Sequence, residues 1–188
     1  MSLFTVIDCE TTDKLPTKAI PLCVSYITFK TSVMDIVDSG TLFFYKEGIP
    51  WSTEAESIHG LSKQFLQQFE SEYYENLRKL FKVTYMGNLV GQNIKAYDYV
   101  VLDRFLSIND YPPISPYSLY DTMYALGKRT KLSTIAETLN ISMELIKSFS
   151  KTVFKDSKLD SKLDYHNSEF DTVATMFIYF KLLNKRGT

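Results

Sequence analysis

The sequence predicts a single α/β domain in which helices flank a central mixed β-sheet. Three stretches rich in β-branched and aromatic residues follow one another with only short links, at 4–12, 20–29 and 33–46. Consecutive strands with short links favour an antiparallel meander. Beyond residue 50, amphipathic helical segments surround one further short strand. The meander would therefore form the first part of a mixed sheet.

Length and composition favour one globular domain spanning residues 1–188. The chain is 45% hydrophobic and 14% aromatic, enough to build a sizeable core. It contains no apolar run of about 18 residues, and no basic segment followed by an apolar one opens it. We therefore expect neither a membrane span nor a secretory signal, and a cytoplasmic location.

Charge and cysteine content limit the classes of partner and site. The net charge is −1, so a nucleic-acid partner would need a local basic patch or bound metal ions. The two cysteines, Cys9 and Cys23, fall inside predicted strands. We expect free core thiols, because a disulfide would have to tie two strand interiors together.

The first strand carries two acids on one face. Side chains alternate along a strand, so Val6, Asp8 and Glu10 share a side. Like charges near an apolar core are unfavourable unless a cation or a proton neutralises them, which points to a metal site. However, 22 acids in this chain produce roughly two or three acid-x-acid pairs by chance, so an incidental pair stays open.

Helical periodicity, caps and breakers predict the other elements. The predicted helices are 50–61, 62–69, 72–82, 97–106, 117–126, 131–139 and 168–183. A short strand at 83–90 is interrupted at Gly87, and Gly40 is a candidate bulge in the third strand. His59 precedes Gly60 at a helix-to-helix corner, where a histidine is more often a turn residue than a functional one.

Two more acids and the second histidine stand at predicted helix starts. Asp98 follows a polar turn at 91–93, and Asp171 follows Ser168 at the spacing of a capping box, five residues after His166. Capping and the helix dipole explain either aspartate locally. Asp171 also lies on or beside the apolar face of the last helix.

A lysine-rich segment runs from Lys147 to Lys162. We interpret it as an exposed loop or a frayed helix. A solvated surface is the favoured interpretation, and contact with phosphates is the alternative.

In order and type, these signals resemble the DEDDh (DnaQ-like) 3′→5′ exonuclease family. The matching positions are Asp8-Cys9-Glu10-Thr11-Thr12, Ile58-His59-Gly60-Leu61, Asp98 after Gly91-Gln92-Asn93, and His166 with Asp171. The resemblance spans essentially the whole chain. Asp13 replaces a usual glycine, Gln92 replaces a common histidine, and the stretch 91–98 is one residue longer than in many members.

The resemblance implies a ribonuclease-H-like α/β fold with a two-metal site at the edge of a mixed sheet. The implied ligands of two Mg²⁺ or Mn²⁺ ions are Asp8, Glu10, Asp98 and Asp171. His166 would be the general base among these catalytic residues. The implied terminal-nucleotide contacts are Thr11, Thr12, His59 and Asn93.

The implied activity is metal-dependent release of nucleoside monophosphates from single-stranded or frayed nucleic-acid 3′ ends, with single-stranded DNA favoured. A role in proofreading, repair or replication would make a DNA polymerase a candidate partner, and a homodimer is a further candidate. The alternatives are an exoribonuclease of the same fold, a non-catalytic nucleic-acid-binding polymerase-accessory protein, and a structural carboxylate-rich metal-binding domain.

Overall fold

A five-stranded mixed sheet forms the centre of the molecule. The computed structural model describes residues 3–31, 35–159 and 164–186. Its strands are β1 (Leu3–Thr11), β2 (Pro21–Lys30), β3 (Asp35–Phe43), β4 (Asn88–Gly91) and β5 (Ser118–Asp121). Their order is β3-β2-β1-β4-β5, with β1, β2 and β3 antiparallel and β4 and β5 parallel to β1. The predicted meander within a mixed sheet is confirmed.

Seven α-helices and two short 3₁₀ segments accompany the sheet in the described residues. The helices are α1 (Thr53–His59), α2 (Lys63–Gln67), α3 (Tyr73–Thr84), α4 (Asp98–Ser107), α5 (Leu132–Thr138), α6 (Met143–Val153) and α7 (Ser168–Arg186). The 3₁₀ segments are Glu70–Glu72 and Thr122–Tyr124. No helix in the described part of the chain is long and apolar enough to cross a membrane.

The two faces of the sheet bury different helices. Val6 of β1 packs in one apolar cluster with α5, α6 and α7. Its neighbour Ile7 packs on the opposite face with α3 and α4. The period-two alternation predicted for β1 is therefore present, and the face that carries Val6 also carries Asp8 and Glu10.

Several local predictions differ from the structure. The predicted helix 117–126 is instead β5 and a 3₁₀ turn, because Ser118–Asp121 pairs in parallel with β4. Tertiary strand pairing has overridden a weak local preference there. Residues 83–84, predicted as strand, continue α3, where the buried Thr84 hydroxyl donates to the Leu80 carbonyl at 2.8 Å.

The third strand and the lysine-rich segment also need correction. The register irregularity of β3 lies at Val37, and Gly40 pairs regularly with Tyr26. The first part of the segment from Lys147 is ordered helix, because α6 continues to Val153 behind a Ser142 cap that accepts from Leu145 N–H at 3.2 Å. Lys162 and residues 33–34 lie outside the described part.

Candidate active site

The end of β1 presents Asp8 and Glu10 beside the start of α7. Both residues are half-buried. In the antiparallel pairing with β2, Asp8 lies opposite Ser25 and Glu10 lies opposite Cys23. The Ser168 hydroxyl at the start of α7 lies 2.7 Å from the Ser25 hydroxyl and 3.3 Å from the Cys23 sulfur. This buried polar contact holds the helix start against the strand that neighbours both acids.

The last helix brings a third acid to the same place. Asn167 caps α7, since its Oδ1 accepts from the N–H groups of Glu169 and Phe170, each at 3.1 Å. The cap is therefore one residue earlier than the predicted Ser168, and Asp171 is not needed for it. Asp171 instead directs one buried oxygen, Oδ1, to a position with no hydrogen-bond partner among the described residues.

The fourth acid arrives from the opposite face of the sheet. Asp98 is the first residue of α4 and is only 4% exposed. Its carboxylate does not cap the helix. It receives hydrogen bonds from the Cys9 thiol and from the backbone of Cys9 and Asp98. Both cysteines are free thiols, as predicted, and burial raises the pKa of each.

Close packing of the β4–α4 connection places Asp98. A Cβ atom on Gly91 would lie 2.7 Å from Ile94 Cβ and 3.2 Å from the Ile7 carbonyl, so only glycine fits between loop and strand. Asn93 then turns the chain through a left-handed conformation (φ +61°).

Asp121 at the end of β5 fixes this connection. Its Oδ1 accepts from Asn93 N–H and from Met123 N–H, each at 2.9 Å, and its Oδ2 accepts from Lys95 N–H at 3.3 Å. Sequence reasoning missed this residue because 117–126 was predicted to be helical. Recognition of 118–121 as a strand would have placed an acid at the same sheet edge as Asp8.

The four acids interact electrostatically. Burial raises the pKa of Asp8 well above its usual range, and the charges of Asp171, Asp98 and Glu10 raise it further. The pKa of Glu10 is also well raised, by burial and then by Asp171 and Asp98. Burial raises the pKa of Asp98 to about 6 and that of Asp171 to about 7. Carboxylates so placed favour a bound proton or a cation.

These residues are of the kind that a hard divalent cation binds. Mg²⁺ and Mn²⁺ prefer carboxylate oxygens, and the unpartnered Asp171 Oδ1 is an acceptor without a donor. Within the described ranges, however, no group of three or more His, Cys, Asp or Glu side chains is arranged so that it could hold a metal ion. The donor set fits such an ion, although the carboxylates are not closed around one point.

His166 lies at the entrance to α7. It is exposed and left-handed (φ +72°), and its backbone N–H donates to Asp171 Oδ2 at 3.2 Å. The contribution of this residue to the helix start is therefore made by the backbone. The imidazole takes no part in that bond.

The two predicted threonines shape the turn after β1. The Thr11 hydroxyl donates to the Asp13 carbonyl, and the Thr12 hydroxyl accepts from Ile20 N–H, each at 3.0 Å. Both threonines are buried. Asp13 stabilises the same turn, since its Oδ1 accepts from Leu15 N–H at 2.8 Å, and its carbonyl also accepts from the Tyr97 hydroxyl.

His59 lines a cleft beside Glu10. Its Nδ1 accepts from Leu61 N–H at 3.0 Å, so the proton of the neutral ring is on Nε2. Nε2 is buried and has no partner among the described residues. Burial lowers the pKa of His59 to about 4, which keeps the ring neutral near pH 7. A cleft of about 250 Å³ lies there, lined by residues that include Glu10, Thr11, Lys14, Ile58, His59 and Tyr97.

Gln92, which differs from the family pattern, is used for structure. Its Oε1 accepts from the Thr122 hydroxyl at 2.6 Å, and its Nε2 donates to the Thr130 carbonyl at 2.8 Å. The side chain therefore ties the end of β4 to the segment after β5.

The whole chain superposes on known exonucleases. Exonuclease I matches with a TM-score of 0.71 at 16% identity, over 98% of this chain and 41% of that one. Escherichia coli exonuclease I in complex with a dT13 oligonucleotide matches with a TM-score of 0.65 at 17% identity, over 99% and 42%. Exonuclease X in complex with 5′-overhanging duplex DNA matches with a TM-score of 0.65 at 15% identity, over 98% and 93%.

The chain has the fold of these exonucleases. The predicted ribonuclease-H-like architecture is thus confirmed. The chain spans less than half the length of exonuclease I and nearly all of exonuclease X. No protein-family model and no curated protein sequence matches it.

Proposed function

We propose that this protein is a divalent-metal-dependent 3′→5′ exonuclease of the DEDDh type. It would release nucleoside monophosphates from single-stranded or frayed DNA ends. The observation that carries this proposal is the electrostatic interaction of Asp8 and Glu10, at the end of β1, with Asp98 of α4 and Asp171 of α7. It gains support from exonucleases of the same fold that bind DNA.

Four mutually repelling acids argue against the non-catalytic alternatives. A raised carboxylate pKa means that ionisation of the group destabilises the folded state. Without metal, the protein is therefore less stable with these acids than with neutral side chains in their place. A protein that only bound nucleic acid would gain nothing from that arrangement. A structural metal domain would leave the unused donor of His59 beside the acids without a role.

In the proposed reaction, the four acids, His166 and His59 have separate roles. Bound Mg²⁺ or Mn²⁺, held by the four acids, would stabilise the charge on the attacking and leaving oxygens of an in-line phosphodiester displacement. His166, exposed beside Asp171, would accept the proton of the attacking water. His59 would line the adjoining cleft that receives the terminal nucleotide, and its pKa of about 4 keeps the ring neutral there.

The decisive experiment follows the ends of a labelled strand. A 5′-labelled single strand incubated with Mg²⁺ should shorten by one nucleotide at a time, and chelator or Asp8→Asn should stop the reaction. A circular single strand of the same sequence should survive. Cleavage of the circle would show an endonuclease, and equal degradation by Asp8→Asn would remove the acids from the mechanism. An RNA strand run in parallel tests the preference for DNA.

A further inference from the structure

Four exposed cations and one exposed tyrosine lie at the sheet edge that carries the acids. β1, β4 and β5 are parallel, so their carboxyl ends meet at one edge. The acids lie at the end of β1. We define the cationic rim as the exposed side chains that follow β4 and β5 there: Lys95, Tyr124, Lys128, Arg129 and Lys131.

The rim is fixed to the sheet rather than carried on a free loop. Gln92 at the end of β4 holds the Thr130 carbonyl at 2.8 Å, and Thr130 N–H donates to the Met123 carbonyl at 3.0 Å. The Asp121 carboxylate joins the backbone of Lys95 to that of Met123. The cations and the acids therefore belong to one continuous surface.

The charges of the rim are available for a ligand. In the part of the chain that the structure describes, no acid lies within ion-pair distance of the four cations. Asp121 lies near these cations, but both of its carboxylate oxygens accept hydrogen bonds from backbone N–H groups. Tyr124 is 58% exposed among them. Exposed cations around an exposed aromatic ring are the combination that binds single-stranded nucleic acid by phosphate contact and base stacking.

We propose that the cationic rim binds the stretch of single-stranded polynucleotide that precedes the nucleotide being released. The proposal rests on the proposed function. The His59 cleft extends from α1, which lies on the β2 side of the acids next to Leu61, to Tyr97 of the β4–α4 connection. The rim lies on the other side, two strands away at β5, or about 10 Å at the usual spacing. A strand whose 3′ end fills the cleft would cross the acids and reach the rim.

The rim also meets an electrostatic need. The net charge of −1 gives no general attraction for a polyanion, and the acids repel it locally. A fixed group of cations next to the acids would supply that attraction. The end of α6, with its lysines, lies at the opposite edge of the sheet. There the Ser39 hydroxyl of β3 donates to the Val153 carbonyl at 3.3 Å.

The test compares two triple variants with the same change in charge. Lys128→Ala/Arg129→Ala/Lys131→Ala removes the rim, and Lys147→Ala/Lys151→Ala/Lys155→Ala removes cations beside the opposite edge. Binding of labelled dT13, the oligonucleotide seen with exonuclease I, is measured in the Asp8→Asn background over about 50–200 mM salt. The rim variant should bind at least about tenfold more weakly, with a log–log salt slope shallower by about 2, since each single-strand contact contributes about 0.7.

A tyrosine pair tests the stacking part of the rim. Tyr124→Ala should weaken dT13 binding by about 5- to 150-fold without changing the salt slope. Tyr117→Ala is the control, because Tyr117 is 73% exposed but lies at the start of β5, away from the acids. The effect of the rim variant should also be larger for dT13 than for a dinucleotide.

Failure of the rim and failure of the proposed function give different results. If wild-type protein degrades dT13 while the rim and α6 variants bind it with equal affinity and equal salt slope, the rim proposal is wrong. If wild-type protein leaves dT13 intact in Mg²⁺ but the rim variant still loses binding, the rim stands and the exonuclease proposal fails.

Discussion

At the scale of single residues, the structure separates the backbone of His166 from its imidazole. The backbone N–H bonds to Asp171, and the left-handed conformation (φ +72°) suits glycine. His166→Gly should therefore keep or raise stability while turnover falls about 10²–10⁴-fold. Single-turnover rates and thermal melting measure both effects.

Asn140 provides the matched control for that substitution. It is also exposed and left-handed (φ +52°), at the end of α5, so Asn140→Gly makes the same backbone change away from the acids. Its rate should stay at the wild-type value. A near-wild-type rate for His166→Gly would exclude His166 as the base.

Asp121 should show a graded response to substitution. Oδ1 accepts two of its three backbone hydrogen bonds, and asparagine retains that oxygen. Asp121→Asn should keep most turnover, whereas Asp121→Ala should lose about tenfold or more and need more metal, because Asp98 is no longer held in place. Titration of activity with Mg²⁺ distinguishes this from a general loss of stability. Equal effects of the two variants would contradict the positioning role.

The sequence predicts the site best where local pattern and chemistry coincide. Strand alternation correctly places Asp8 and Glu10 on one face with Val6. The cap of α7 was assigned to Ser168, although Asn167 provides it, because adjacent polar residues fit a cap equally well in sequence. The meeting of Asp98 with Cys9 could not be predicted, since it depends on tertiary packing of α4.

At the scale of secondary-structure elements, Gly91 controls where α4 begins. A methyl group there would meet Ile94 and the Ile7 carbonyl, at 2.7 and 3.2 Å. Gly91→Ala should cost about 1–3 kcal/mol in unfolding free energy, and it should lower turnover because the loop that carries Asp98 must shift. Chemical denaturation and rate measurements test both parts.

Gly87→Ala is the control for the same strand. The nearest atom to its added Cβ would be 3.6 Å away, an ordinary contact. Stability should change by no more than about 0.5 kcal/mol. If Gly91→Ala and Gly87→Ala lose the same unfolding free energy, the close contacts at Gly91 do not constrain the loop, and this prediction is wrong.

The errors in predicting elements share one physical origin. β5 has only four residues and is defined by its pairing with β4, so its local sequence carries little strand signal. The β1–β2–β3 meander has strands of nine or ten residues rich in β-branched and aromatic side chains, and it was predicted correctly. Elements that depend on distant partners are those that the sequence describes least well.

At the scale of the whole molecule, the acids should make stability fall as pH rises. Their folded-state pKa values lie above the unfolded values near 4, so the native state retains protons that the unfolded state has lost. The metal-free protein should therefore lose stability from about pH 4 to about pH 7, where Asp171 ionises. Melting in chelator across that range measures the loss.

Asp8→Asn isolates the contribution of the site. It removes one of the repelling charges, so the variant should melt about 3 °C or more above wild type at pH 7 in chelator and show a weaker pH dependence. Added Mg²⁺ should stabilise wild type more than the variant. A variant that melts several degrees below wild type in chelator would identify Asp8 as a structural carboxylate.

The candidate site is assembled from β1, α4 and α7, so it can form only after all three elements have been synthesised. Asp8 in β1 leaves the ribosome well before α7, which carries Asp171 and the Ser168 contact to β2. A nascent chain can form the meander early, but its carboxylates stay incomplete until translation has passed α7. If the proposed function is correct, a chain cut before α7 would lack Asp171 and would be inactive toward nucleic acid.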